Sequence, residues 1–294
     1  MGVVYETALP DGSAVALKVL HAPLLANEYA VRKFRDEGIA GAVVNHPNVV
    51  SVLDRGETAD GVPYLVMTRI RGESLASRLR RDGTLSPYRA AMIVRQILAG
   101  LDALHAAGFI HGDVKTSNIL VMTGTDGSDT AVLIDLGLAS PWPASDPAAG
   151  SEDMTISGTL EYMAPELIGG IKPAPAADAY GAGVVLYELL TGTIPWSGAT
   201  PAEVTLRHLS DDIVPPSLLD PASTIPPDLD QIVTRALDKD PERRFASAAA
   251  FATALEVVQP HLDRTGHHAS SSIQHSRNTP TYAWAGPALR AAAH

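Results

Sequence analysis

The sequence predicts an α+β chain in two unequal lobes, a small strand-rich one followed by a larger helical one. Three observations predict it. Up to Thr68, short apolar runs are broken by turn signals. After Gly72 the apolar residues recur at helical spacing. The composition, 46% hydrophobic and 19% charged over 294 residues, is enough to bury a core.

Val3 to Ala8, the turn Pro10-Asp11-Gly12-Ser13, and Val15 to Leu20 read as a hairpin. A helix over about Ala26 to Val43 follows, then strands near Val50 to Leu53 and Tyr64 to Met67, joined through Asp60-Gly61. Ser86 and Pro87 open a helix whose stripe is Val94, Ile97, Leu98, Leu101 and Leu104, with Gly108 past its end. Short strands at Ile119 to Val121 and Val132 to Ile134 form a hairpin. Asp178 to Leu190 is apolar nearly all round and reads as a helix inside the larger lobe. Thr200-Pro201-Ala202-Glu203 is a capping box. Leu229, Ile232, Val233, Ala236 and Leu237 form a further stripe, and Ser247 to Val258 a last helix. From Asp263 the chain is Ser, His, Ala and Gly without period, so 263–294 is expected to be a disordered polar tail.

Charge and composition exclude several classes. Lys and Arg total 22 against 33 Asp and Glu, a formal charge of -11, which disfavours a nucleic-acid or anionic-membrane surface as partner. With no Cys, disulfides, thiolate nucleophiles and Cys-ligated zinc are excluded. No run approaches 18 apolar residues, and Met1 to Glu6 does not read as a signal peptide, so a cytoplasmic location without a membrane segment is expected. Ten histidines, four of them in the tail, lack a metal-ligand frame.

The chemistry lies between the lobes. His111-Gly112-Asp113-Val114-Lys115-Thr116-Ser117-Asn118 and Asp135-Leu136-Gly137 place two carboxylates, an amide and a lysine in polar loops between apolar strands. Metal-assisted phosphoryl transfer needs such a set: one carboxylate to accept a hydroxyl proton, another with an amide oxygen to hold Mg²⁺. Lys18, in the apolar strand Val15-Ala16-Leu17-Lys18, requires an anion, either a phosphate or the carboxylate of Glu37 on the next helix.

Taken in order, these residues resemble the protein kinase family, specifically the bacterial eukaryotic-like Ser/Thr kinases. The resemblance runs from Gly2 to Val258. It takes in V-A-L-K, Glu37, His46-Pro47-Asn48, the hinge-like Tyr64-Leu65-Val66-Met67-Thr68-Arg69, H-G-D-V-K-T-S-N, D-L-G, Ala164-Pro165-Glu166, Asp178 and Arg244. It implies a bilobal protein-kinase-like fold over 1–262, with a small antiparallel-sheet N-lobe (1–68), a hinge at about 68–72 and a helical C-lobe (73–262). It implies that Asp113 is the base, that Lys115 neutralises the transferred phosphoryl group, and that Asn118 and Asp135 hold Mg²⁺, or Mn²⁺ in its place. Lys18, fixed by Glu37, would grip the ATP phosphates beneath Gly2. Val4, Ala16 and Leu120 would sandwich the adenine beside Met67, and the backbone of Thr68 and Ile70 would bond its edge. Thr159 would bond the base and Lys115, which favours Ser/Thr over Tyr acceptors. Protein substrates are the implied partners, and a homodimer is compatible. Structural roles are expected for His111, as a packed core residue, and for Asp178 and an Arg244–Glu166 pair. Arg69, Arg71, Arg78, Arg80 and Arg81 are read as a solvated helix edge.

Three departures from the family pattern stand out. Gly2 aligns with the last glycine of the family's G-x-G-x-x-G-x-V loop, so the first strand and two glycines are missing. Met1 is expected to be internal to a longer natural chain. Two lost hydrogen bonds to a charged group, at about 1.5–3 kcal/mol each, would weaken ATP binding about a hundredfold or more. Gly112 replaces an arginine that would meet an activation-segment phosphate. Phosphorylation at Ser151, Thr155 or Ser157, beside Glu152 and Asp153, is therefore expected to be dispensable. Leu136 replaces a phenylalanine at small cost. The rival readings are a small-molecule phosphotransferase, which would lack a platform like Gly158 to Glu166, and a pseudokinase scaffold with weakened ATP binding.

Overall fold

The computed structural model describes residues 2–136, 140–141, 160–219, 225–259 and 262, all within one unit, Met1–Arg264. β1 (Gly2–Ala8) and β2 (Ala14–Leu20) form the expected hairpin. Its turn closes through Asp11, whose carboxylate accepts from the Ser13 amide at 2.8 Å, and Gly12 takes φ +86°. Next, α1 (Glu28–Val43) begins at Asn27, whose side chain accepts from the Ala30 amide, two residues later than Ala26 would suggest. β3 (Val52–Glu57) and β4 (Pro63–Thr68) complete an antiparallel sheet of order β1-β2-β4-β3. A Cβ on Gly38 would come within 2.6 Å of Leu65, and one on Gly41 within 2.5 Å of Val52, so these glycines let α1 lie directly on the sheet. Leu20, Phe34, Val50, Val52, Leu65 and Met67 fill the core of this lobe.

After Gly72 come β5 (Glu73–Ser74), α2 (Leu75–Asp82), α3 (Pro87–Ala106) and β6 (Phe109–Ile110). β7 (Ile119–Thr123) and β8 (Asp129–Leu133) pair antiparallel in a three-stranded sheet of order β5-β7-β8, and β6 pairs with β9 (Ser140–Pro141). The remainder is helical: α4 (Pro165–Ile168), α5 (Pro175–Thr191), α6 (Pro201–Ser210), α7 (Pro227–Ala236) and α8 (Ala248–Val258). The stripe predicted for α3 is fully buried and packs with α5 and α8 in the larger core. The α6 capping box forms one of its bonds as expected, from the Glu203 amide to Thr200, while the Glu203 carboxylate accepts from the Ala199 amide.

Two expectations are corrected: the strand expected near Val50 to Leu53 runs over Val52–Glu57, and the reading of the arginines changes. The arginine series is not uniformly a solvated edge, because Arg78 is 5% exposed. The β7–β8 hairpin carries Thr123 and Asp129 against α2, and Arg78 bonds both at 2.7 Å and Glu73 at 3.2 Å. Asp129 also takes Arg89 at 2.7 Å, and the bonds from Thr123, Arg78 and Arg89 together hold its carboxyl below the usual range despite burial. Arg69 pairs with Glu6 at 2.9 Å. The tail 263–294, the acceptors Ser151, Thr155 and Ser157, and Gly137, Gly158 and Thr159 lie outside the described residues.

Candidate active site

Lys18 sits on the central strand β2, opposite Val4 of β1 and Leu65 of β4. Its Nζ lies 2.6 and 2.7 Å from the Glu37 oxygens and 2.5 Å from Asp135 Oδ1. Burial disfavours the ammonium, but the Glu37 and Asp135 carboxylates outweigh it, so the Lys18 pKa is raised. Glu37 is 1% exposed, and burial pushes its carboxyl up. Asp135, by contrast, is held below the usual range: the charge of Lys18 overcomes its desolvation.

The backbone at Asp135 has φ +62°, the only positive φ at a non-glycine among the described residues. Such a conformation costs about 1–3 kcal/mol and persists only where its surroundings enforce it. Here the ion pair with Lys18 and the complete burial of Leu136 do so. The small cost expected for leucine at 136 fits that packing.

A second cluster forms on the loop after β6. Asp178, at the start of α5, accepts from the His111 amide at 2.9 Å and the Gly112 amide at 2.8 Å, and meets His105 Nε2 at 2.7 Å. Burial works against its charge, but these bonds hold its carboxyl low. Gly112 takes φ +77°, a left-handed turn that suits glycine. His111 is fully buried as expected, and its Nδ1 accepts from the Asp113 amide at 3.3 Å. The turn delivers Asp113, whose Oδ2 lies 2.7 Å from Lys115 Nζ and 2.9 Å from Asn118 Nδ2. Asn118 Nδ2 also donates to the Asp113 carbonyl at 3.0 Å.

The two clusters meet across a cleft of about 1360 Å³. Its walls include Gly2, Val4, Ala16, Lys18, Glu37, Met67, Thr68, Ile70, Asn118, Leu120 and Asp135, every residue expected to touch ATP. Asp113 and Lys115 do not line it but are tied to it through Asn118. The donors fit Mg²⁺. Asn118 directs its amide hydrogens at Asp113, which leaves Oδ1 as a bare acceptor, and Lys18 engages only one oxygen of the half-exposed Asp135. These are hard oxygen ligands of the kind Mg²⁺ takes.

Supporting contacts follow expectation. Arg244 is buried and forks onto Glu166 at 2.8 and 2.7 Å, stacked 4.7 Å above Tyr180. The motifs gave no sign of His105, of the Glu6–Arg69 pair on the cleft wall, or of Tyr162, whose hydroxyl bonds Glu188 and lies 3.1 Å from that of Thr116. These contacts come from helix packing and hairpin register, which carry no local sequence signal.

A small sheet and a helical lobe, with a lysine, two carboxylates and an amide facing one cleft between them, define a two-lobed domain of the protein-kinase-like class. The chain belongs to the family described as "Protein kinase domain", matched over residues 1–255. It is 34% identical over 281 residues to the serine/threonine-protein kinase pkn3 of Myxococcus xanthus, covering 95% of this chain and 51% of that protein. It is 36% identical to PkaB of Streptomyces coelicolor (87% and 60%) and 35% identical to PknB of Mycobacterium leprae (80% and 37%), both named serine/threonine-protein kinases. The chain thus spans between about a third and 60% of the length of these relatives.

Proposed function

We propose that the chain transfers the γ-phosphoryl group of ATP to serine and threonine hydroxyls of proteins, with 1–262 as the catalytic domain, hinged at 68–72, working in the cytoplasm. The observation that carries this reading is one cleft lined by Lys18, Glu37, Asp135 and Asn118, with Asp113 and Lys115 tied to it through Asn118. Val4, Ala16 and Leu120 offer apolar faces to a purine, and the backbone of Thr68 and Ile70 offers its edge polar partners. Lys18, already charged, meets the phosphate oxygens while Glu37 keeps its side chain extended across the cleft.

Asn118 and Asp135 would hold Mg²⁺, which supplies charge neutralisation on the phosphates. Asp113 accepts the proton as the acceptor oxygen bonds to the γ-phosphorus and the bond to the β-phosphate oxygen breaks. Lys115, 2.7 Å from Asp113, stands beside the group being transferred and offsets its charge. Asn118 fixes the Asp113 carboxylate through Nδ2 and Asp178 fixes the loop through two backbone amides, so the base is held before substrate arrives.

The scaffold alternative rests on the incomplete glycine loop; against it, Lys18, Glu37 and Asp135 line the cleft already paired with one another. Transfer from radiolabelled ATP at millimolar concentration with Mg²⁺ to casein, followed by acid hydrolysis, should yield phosphoserine and phosphothreonine. Asp113→Asn should lower the rate about 10²–10⁴-fold. Unlabelled casein, or an Asp113→Asn chain as fast as the natural one, contradicts the reading.

A further inference from the structure

A single guanidinium ties together the three-stranded sheet beside the cleft. Arg78 on α2 is buried, and each of its three nitrogens bonds a side chain from a different strand of the sheet β5-β7-β8. Nε donates to Glu73 of β5 at 3.2 Å, Nη2 to Thr123 of β7 at 2.7 Å and Nη1 to Asp129 of β8 at 2.7 Å. Thr123 and Asp129 are register partners, and the Thr123 hydroxyl donates to Asp129 Oδ1 at 2.7 Å. From α3, Arg89 bonds the other oxygen of Asp129 at 2.7 and 3.0 Å. Gln96, also on α3, donates to the Asp129 carbonyl at 2.8 Å and accepts from the Ala131 amide at 2.9 Å. Two helices therefore grip the closed end of the β7–β8 hairpin.

The open end of the same hairpin carries the two oxygen ligands assigned above to Mg²⁺. Asn118 directly precedes β7 and Asp135 stands two residues after β8. The Ile134 amide donates to the Asn118 carbonyl at 2.9 Å, which extends the ladder between them by one rung. Leu120, on the cleft wall, lies on β7 between the two ends. From Thr123 to Asn118 is about 16 Å of extended chain. Side chains alternate along a strand, so a slip of one residue between β7 and β8 would turn one ligand away from the other.

We propose that Arg78 is a positioning residue for the magnesium nucleotide: by bonding all three strands at the closed end of the hairpin, it sets the register that brings Asn118 and Asp135 together at the open end. The inference rests on the protein-kinase reading above and deepens it. Arg78 borders the outer part of the cleft, but its three nitrogens are already engaged, so it acts through the strands and not on the nucleotide. Lysine cannot take its place, because one ammonium lacks the planar fork that spans three strands.

The test uses two variants of the full chain. Arg78→Lys keeps a charge beside Asp129 and loses the fork. Arg78→Met/Asp129→Asn removes the buried pair from both sides, so that no buried carboxylate is stranded while the grip is lost. Titration calorimetry of ATP with and without Mg²⁺ reads the affinity that the metal adds. Hydrogen exchange over 119–134 without nucleotide reads the hairpin itself. Groups that orient metal ligands are worth about 10–100-fold in metal affinity, so the gain from Mg²⁺ should fall about tenfold or more in the double variant. Arg78→Lys should lose a smaller part of it, and exchange should quicken in both. In turnover, the Mg²⁺ needed for half-maximal rate should rise while KM for casein stays. A merely structural role would lower the folded fraction, and kcat with it, without moving the Mg²⁺ requirement. Should the double variant not fold, Arg78→Lys decides alone. A folded variant that keeps the natural gain from Mg²⁺, or loses it with hairpin exchange unchanged, overturns the inference and leaves the kinase reading intact. A natural chain that phosphorylates nothing and binds ATP equally with and without Mg²⁺ overturns both.

Discussion

Lys18→Met would separate what the buried ion pair does for the fold from what it does for the site. Removing the ammonium leaves Glu37, 1% exposed, without its cation. Breaking a buried pair on one side costs about 3–5 kcal/mol, whereas replacing both partners by apolar groups is often neutral. Asp135 adds little to that cost, because its carboxylate is half-exposed and can rehydrate. Lys18→Met should therefore lose about 3–5 kcal/mol in urea unfolding followed by circular dichroism at pH 8, and Lys18→Met/Glu37→Leu should recover most of it. The penalty should shrink toward pH 5. Burial already raises the Glu37 pKa, and a lone buried carboxylate takes up its proton more readily still, so the charge that costs stability above that pKa is lost as the pH falls through it. ATP-dependent phosphorylation should be lost in both variants. A single variant as stable as the double one at pH 8, or a double variant that retains turnover, refutes the reasoning.

Further outcomes follow from two other buried groups. Arg78→Ala leaves Asp129 with Arg89 as its remaining cation and should cost about 1.5–3 kcal/mol in the same unfolding assay; an unchanged midpoint would contradict the buried network. His208 is fully buried, with Nδ1 2.9 Å from the Tyr180 hydroxyl, and burial together with the nearby Lys239 lowers its pKa to about 4. The unfolded chain binds a proton there near pH 6.5 and the folded one does not. Stability is therefore full above pH 6.5 and falls by up to about 3 kcal/mol on the way down to pH 4. His208→Phe should flatten that part of the stability curve, and a curve of the same slope would exclude His208 as its source.

Much of this architecture was legible because its signals are local. The first hairpin announces itself in Pro10-Asp11-Gly12-Ser13, and the helix after Ser86 in its cap and stripe. The third strand was misplaced for a physical reason. Val49 bridges to Leu133 and the Val50 amide bonds the Leu133 carbonyl, so that apolar run belongs partly to the other lobe. The strand itself starts at Val52 and runs through Asp54, Arg55 and Glu57 on the sheet edge, where polar residues face water. α2 was legible only as a solvated helix edge, because Arg78, Arg80 and Arg81 mask the inward Leu75 and Leu79.

Within the site, the chemistry of Lys18, Glu37, Asp113, Asn118 and Asp135 was readable from residue type and order; Lys18, Glu37, Asn118 and Asp135 line one cleft, and Asp113 is tied to it through Asn118. The partners of Asp178 and Glu188 were not readable. His105 lies 73 residues from Asp178 and Tyr162 lies 26 from Glu188, and only the packing around α5 unites them.

ATP affinity by titration calorimetry, with and without Mg²⁺, in the natural chain and in Asp135→Asn, addresses the shared cleft most directly. If Asp135 and Asn118 face the nucleotide that Lys18 holds, Mg²⁺ should tighten ATP binding to the natural chain, and Asp135→Asn should lose most of that gain. An Asp135→Asn chain that keeps the full Mg²⁺ enhancement would place the metal and the nucleotide elsewhere.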